Sequence, residues 1–309
     1  MKQYFLLQHT NLTFRKIISV TLLLICFSYS YAQKTEVKKP GVFYAVTGNG
    51  LNDTSYLFGT YHLIKSSYLD DKPAVQYAFN KAKGIVVEVV IDSSELATAN
   101  AMGLLQGKHL KDLLDKKFSD SLDAELKQHI GVGIDQFNAV KPMTVMVTLS
   151  IVQLMKDNQQ LMTKYTGSPL DASFADKGKA GGKTITPMET IFEQMEFLFN
   201  RISDEKQVEM LQLFLRNKTD NVKMGNALLQ AYLNNDLAAM YTIYEDGIEI
   251  SGDMDFLIKE RNNNWMKTMP SLIKKQSQFI AVGALHLAGP DGLVKQLQQM
   301  GFKVTSINL

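Results

Sequence analysis

The sequence predicts an α/β fold: a central mixed, largely parallel sheet formed by both chain ends, with a large helical insertion as a cap. Three observations carry this expectation. Residues 85–91 (IVVEVVI) form a nearly continuous apolar run between Gly84 and Asp92, the composition of a strand covered on both faces, as in parallel sheets. The C-terminal end reads as strand, helix, strand over 278–282, 290–300 and 302–307, with Gly301 stopping the helix. Such a βαβ unit calls for parallel strands and a right-handed crossover. From about 93 to 264 the apolar positions recur mostly at helical spacing.

The elements follow in order. Residues 42–61 hold two β-rich runs, VFYAVTG and TSYLFGTY, separated by the turn residues NGLND, which is the signature of a hairpin. Pro73 opens a helix with apolar positions at Ala74, Val75, Ala78, Phe79 and Ala82, and Gly84 is expected to close it. In the insertion, Ser119 and Asp220 are the expected caps, and Pro142 starts an apolar helix through Leu154. Residues 183–188 (KTITPM) interrupt the helices after Gly181-Gly182 and are expected to return to the sheet. There is no solenoid repeat, low-complexity tract or Pro/Ser-rich linker.

The first 32 residues read as a signal peptide. Lys2, Arg15 and Lys16 precede the apolar run 17–27, and Ser30-Tyr31-Ala32 is a small-x-small cleavage site, so the mature chain is expected to begin at Gln33 and form one domain over 33–309. Cys26, the only cysteine, lies within the apolar run after the bulky Ile25, which argues against a lipid anchor and leaves no disulfide. An exported protein, periplasmic or secreted and without a membrane anchor after cleavage, is the expectation. Cleavage would leave 30 basic against 31 acidic residues, a balance that argues against nucleic acid or an anionic membrane as the main partner.

A two-fold echo places the candidate chemistry. Leu57-Phe58 runs into Gly59-Thr60-Tyr61-His62, and Ile280-Ala281-Val282 runs into Gly283-Ala284-Leu285-His286, each an apolar strand ending in G-x-x-H. In open α/β sheets ligands bind beyond the carboxyl ends of strands, where both histidines would lie. Glu88 interrupts the apolar run 85–91, and a buried carboxylate needs a partner. A carboxylate near two histidines suits a metal or acid/base site. The plainer readings are a solvated or core-capping histidine in each loop and, for Glu88, an edge strand facing water or a pairing with a structural Lys or Arg.

The motifs GTYH at 59–62, VVEV at 86–89, PMET at 187–190, ERN at 260–262 and GALHLAGPDGLVKQLQQMGFKV at 283–304 together resemble the TraB/PrgY/GumN family, bacterial relatives of the animal Tiki metalloproteases. The wider superfamily is similar to erythromycin esterases and haem-binding ChaN proteins. The resemblance makes His62 and His286 the two motif histidines, Glu88 the strand carboxylate, Glu189 a second acid and Arg261 the basic residue entering from the helical segment. Asp171 matches a G-x-D position, although Ser168-Pro169 replaces the usual context, and its residues alone read first as the cap of a helix over 172–177 rather than as a ligand. Glu189 reads alternatively as an acid at a helix start, and Arg261 as part of a solvated face. His109 and His129 read as surface residues, and Trp265 and the many methionines as core packing.

The function this implies is an exported metal-dependent hydrolase of Tiki type, acting on a peptide or small-molecule substrate. His62, Glu88 and His286 would hold a divalent manganese, cobalt or zinc ion, and Arg261 would stabilise an oxyanion. There is no H-E-x-x-H motif and no C-x-x-C pair, so an ordinary zincin or zinc ribbon is not indicated. Two other readings stay open. One is a metal-independent esterase-like hydrolase with His62 as base, oriented by Glu88. The other is a non-enzymatic binder of haem, metal or a peptide.

Overall fold

The computed structural model describes residues 40–309; the expected signal peptide, its cleavage site and Cys26 lie outside the described residues. Six strands form one sheet: β1 (Phe43–Thr47), β2 (Ser55–Thr60), β3 (Gly84–Val87), β4 (Thr184–Pro187), β5 (Gln278–Gly283) and β6 (Lys303–Ser306). Their order is β4-β3-β5-β2-β1-β6. The pairs β4–β3, β3–β5 and β5–β2 are parallel, and β2–β1 and β1–β6 are antiparallel. Both chain ends therefore build the sheet, as the sequence predicts.

The hairpin β1–β2 forms through a turn in which Gly48, Asn49 and Gly50 all take positive φ, a conformation that glycine and asparagine tolerate best. Helix α1 (Pro73–Lys81) starts at its proline but stops before Gly84. Gly84 instead opens β3, lying so close to the Gln278 side chain that a Cβ there would clash. The apolar run 85–91 also divides. Ile85, Val86 and Val87 are buried in β3, while Val90 and Ile91 are 43% and 57% exposed. Two parallel neighbours flank β3 only as far as Val87, so Val90 and Ile91 lie beyond the paired part of the strand. At the C-terminus, β5 and β6 run in the same direction but are not neighbours, because β2 and β1 lie between them. The helix joining them is α13 (Leu293–Gln299), shorter than expected.

The insertion contains α2 (Leu96–Ala101), α3 (Lys116–Ile130), α4 (Pro142–Asp157), α5 (Gln159–Lys164), α6 (Leu170–Ala180), α7 (Ile191–Phe199), α8 (Asp204–Arg216), α9 (Lys218–Leu233), α10 (Leu237–Ser251) and α11 (Arg261–Trp265). Helix α12 (Met269–Lys275) leads back to β5. The caps differ from expectation. Asp115, not Ser119, accepts from Phe118 at the start of α3, and Asn217 occupies the cap position of α9, with Asp220 inside its first turn. As expected, 184–187 returns to the sheet, as edge strand β4.

Two apolar cores result. One packs the sheet against α1, α6, α9 and α12, with Phe58, Phe174 and Phe279 in mutual ring contact. The other lies within the insertion and includes Leu122, Leu126, Met143, Val145 and Leu211. Among the described residues no helix is long and apolar enough to cross a membrane.

Gly59 marks the tightest junction. A Cβ there would stand 2.8 Å from the Ala284 Cα and 3.0 Å from Leu287 Cδ1, so only glycine lets β2 approach the turn after β5. Gly59→Val is expected to destabilise the protein by about 1–3 kcal/mol through overpacking, measured by urea unfolding against the parent chain.

Candidate functional site

Register brings the candidate residues together. Val87 lies opposite Ala281 and Pro187, and Gly283 lies opposite Thr60. The four parallel strands thus end near one level, and the chain beyond them delivers Glu189 after β4, Glu88 after β3, His286 after β5 and His62 after β2. This is the position where open α/β sheets bind ligands.

Glu88 lies at the strand end, not mid-strand, and is buried. Strand β5 separates β3 from β2, so Glu88 does not come from a strand beside that of His62. Its Oε1 accepts from the Gly283 amide at 2.6 Å, and its Oε2 accepts from Arg261 Nη2 at 2.5 Å. Glu189 is positioned by its own backbone N–H, which donates to the Glu88 carbonyl at 3.0 Å. The cap of α7 is Thr190, paired reciprocally with Glu193, which leaves the Glu189 carboxylate to turn inward. There it accepts from Arg261, from Trp265 Nε1 at 3.1 Å and from Gln194 Nε2 at 3.1 Å.

Arg261 joins the two acids. It opens α11 directly after a π-helical turn, Phe256–Glu260, and is buried. Its Nε donates to both Glu189 oxygens at 3.1 Å, its Nη2 to Glu88 and to Glu189, and its Nη1 to the Leu257 carbonyl and to His286 Nε2, both at 3.1 Å. The five guanidinium N–H groups thus all find acceptors within the cluster. Arg261 holds the carboxylates and has no donor left for an oxyanion.

His286 is buried, and its tautomer follows from its neighbour. Asn262 Nδ2 donates to the carbonyls of His286 and Asp291, at 3.0 and 2.9 Å, so its Oδ1 must accept the proton on His286 Nδ1 at 2.7 Å. The Nε2 lone pair then faces Arg261, with Glu88 Oε1 3.9 Å away. Trp265 stacks on the ring at 4.4 Å between centroids and also lies 4.8 Å from the guanidinium carbon. Burial pushes the imidazole down to about 3, so it is neutral. Burial alone would raise Glu88, but the facing positive groups and the Gly283 amide outweigh it and hold that carboxyl at about 2. Because His286 is neutral, the cations that hold Glu88 low are Arg261 and, after it, His62.

His62 differs from the rest: its side chain is 72% exposed. The loop that carries it is fixed to the segment before α6, where Leu170 N donates to the Ile64 carbonyl and Ser66 N to the Ser168 carbonyl. This docking places Asp171, in the first turn of α6, against His62. Asp171 Oδ2 meets His62 Nδ1 at 2.8 Å, and Asp171 Oδ1 accepts from the Thr60 hydroxyl. Asp171 is thus a partner of His62, and Pro169 holds the cap position. The hydrogen bond to Asp171 raises the His62 imidazole to about 9.

In this arrangement the three expected ion ligands have protein partners: Glu88 and His286 meet Arg261, and His62 meets Asp171. Among the described residues no three His, Cys, Asp or Glu side chains are gathered closely enough to hold a metal. The cation that meets Glu88 and His286 is the guanidinium. Of the remaining histidines, His109 is exposed as expected, but His129 is 17% exposed and pairs with Glu125. Asn262, Gln194 and Trp265 escaped the sequence reading as site residues. Trp265, the only tryptophan, followed the apolar spacing of a core residue, and its indole N–H could be assigned only once Glu189 was located.

These features define an α/β protein with a buried acid–arginine–histidine cluster and an exposed His–Asp pair at the carboxyl ends of parallel strands. The TraB/PrgY/gumN family model matches residues 42–306, and the chain belongs to that family. No curated protein and no solved structure matches the chain.

The buried cluster has an acid signature. His286 stays neutral when native but protonates near 6.5 once unfolded, so its contribution to stability is complete above about pH 6.5 and is lost as pH falls toward about 3. Glu88, held low, contributes fully above its unfolded value of about 4.3 and loses that contribution as pH falls toward about 2. Urea midpoints measured across pH should fall from about pH 6.5 downward, and His286→Gln should flatten the upper part of that fall. At neutral pH, Arg261→Met should cost about 3–5 kcal/mol by leaving two buried carboxylates uncompensated.

Proposed function

We propose that the protein is a hydrolase that cleaves a peptide or other acyl bond, with His62 and Asp171 as its proton-transfer pair. One observation carries this reading. Asp171 holds His62 by Nδ1, which leaves Nε2 free at an exposed position, beside a buried cluster of fixed charge at the carboxyl ends of the parallel strands. A general base needs this combination of an oriented ring and an accessible second nitrogen.

In the proposed reaction neutral His62 takes a proton from water as the water oxygen bonds to the substrate carbonyl carbon. The same proton then passes to the departing nitrogen or oxygen as its bond to that carbon breaks, releasing an acid and an amine or alcohol. Asp171 keeps the ring in one tautomer and stabilises its charged form. Glu88, Glu189, Arg261 and His286 form the rigid floor. They set the field of the site and hold the ends of the strands from which the loops of His62 and His286 depart.

The expected export agrees with a hydrolase acting outside the cytoplasm, and family membership agrees with the resemblance to Tiki-type peptidases. The test is hydrolysis of mixed fluorogenic peptides and of simple aryl esters by the purified protein. His62→Ala should abolish turnover while leaving the protein folded by circular dichroism, because the ring is exposed and outside both apolar cores. The rate should rise with pH through about 9 as His62 loses its proton. In Asp171→Asn that rise should move down toward the ordinary histidine range and reach a lower plateau. Turnover should survive EDTA. Loss of activity in EDTA and its return with manganese, cobalt or zinc would replace this reading with an ion-dependent one at the same residues.

A further inference from the structure

A cavity of about 610 Å³ opens in the helical insertion, among α3, α4, α8, α9 and α10. It is a different place from the proposed active site, since none of His62, Glu88, Asp171, Glu189, Arg261 and His286 lines it. Its volume is within the roughly 300–1,000 Å³ of small-molecule sites, whereas close-packed interiors keep few voids larger than a water molecule. Its walls are largely apolar and come from both hydrophobic cores. Met146 and Leu149 belong to the insertion core, while Leu154 and Leu228 pack on the sheet core.

Two features show what the cavity is shaped to take. The first is Gly225, inside α9. Glycine is the poorest helix former after proline, yet a Cβ there would meet only Leu154 Cδ1, at 3.7 Å. Packing does not require glycine at that position; its effect is to leave the wall open. Met146, Met224 and Met254 add flexible, polarisable side chains that adapt to a long aliphatic guest.

The second feature is the polar cluster of Glu125, His129 and Lys218, which also lines the cavity. Glu125 Oε1 takes Lys218 Nζ at 2.6 Å, and its Oε2 lies 3.3 Å from His129 Nε2, so both carboxylate oxygens are engaged. Lys218 is half exposed, and Glu125 uses one of its three N–H donors. A ligand head group that accepts hydrogen bonds is therefore favoured over one that donates them.

We propose that this cavity binds a long-chain carboxylic acid, with its aliphatic tail between Leu154, Gly225 and Leu228 and its carboxylate at Lys218. The experiment is titration of the full chain with cis-parinaric acid, a fluorescent polyene fatty acid, below its micellar concentration. Saturable binding of one molecule per chain is expected, with displacement by oleic acid. Gly225→Leu and Leu154→Trp each fill the cavity from one wall and should weaken binding at least tenfold. Having two such variants keeps the test valid if one of them fails to fold, as read by circular dichroism. Lys218→Gln should weaken the acid several-fold and leave its methyl ester unchanged. Non-saturable uptake, or a folded cavity-filling variant that binds as the parent does, would overturn the proposal. Equal weakening of acid and ester in Lys218→Gln would overturn the head-group assignment. Neither readout depends on hydrolytic activity, so the outcome is independent of the proposed function.

Discussion

The arrangement of the site depends on one constraint: two carboxylates buried at the ends of parallel strands must be matched by a cation with enough donors. Arg261 meets it because a planar guanidinium offers five N–H groups in a fixed fork, where lysine would offer three from a single point. Satisfying Glu88 and Glu189 together fixes where α11 lies relative to β3 and β4. That in turn places Trp265 on Glu189 and Asn262 on His286. The π-helical turn before Arg261 is part of the same solution, since its Leu257 carbonyl accepts one of the two N–H groups that neither acid uses. Removing one member leaves the others buried without partners, which is why such a network is all or nothing.

How much of this was legible in the sequence depends on whether the signal was local. The G-x-x-H echo could be read because each motif is a strand end followed within three residues by its histidine, and parallel register brings the two strand ends to one level. Glu88 stood out because a carboxylate amid Val and Ile needs a reason. The full extent of its strand did not show, because an apolar run is equally compatible with a strand and with a strand followed by an exposed loop. Strand order was out of reach for a related reason. Nothing local in 278–283 says that this strand inserts between β3 and β2, so the separation of Glu88 from the strand of His62 appeared only in the fold.

Asp171 shows a different limit. An Asp in the first turn of a helix is equally a cap, a dipole partner or a functional group, and only the far end of its hydrogen bond decides. That end is His62, 109 positions earlier in the chain. Trp265 and Asn262 were hidden in the same way. Each has a side chain whose apolar body or small size suits packing, and a polar atom whose partner lies more than 20 residues away in sequence. Residue type and spacing reported the bodies of these side chains, and tertiary structure alone reported their polar ends.

The two apolar cores bear on how the site is held. The carboxyl ends of the strands rest on the sheet core, but Arg261 reaches them from a segment whose preceding residues belong to the insertion: Met254 packs on the insertion core, and Tyr244 on α10 donates to Asp255, just before the π-helical turn. The site is therefore closed from both sides, by strands that present acids and by a helical segment that presents the cation. Neither half is electrostatically complete alone, because the strand ends without Arg261 carry two buried negative charges and the helical segment without them carries one buried positive charge. The hydrogen bonds at Glu88 and Glu189 fix the register of that helical segment more narrowly than apolar packing does, since apolar contacts between helices tolerate small shifts and a guanidinium fork between two carboxylates does not.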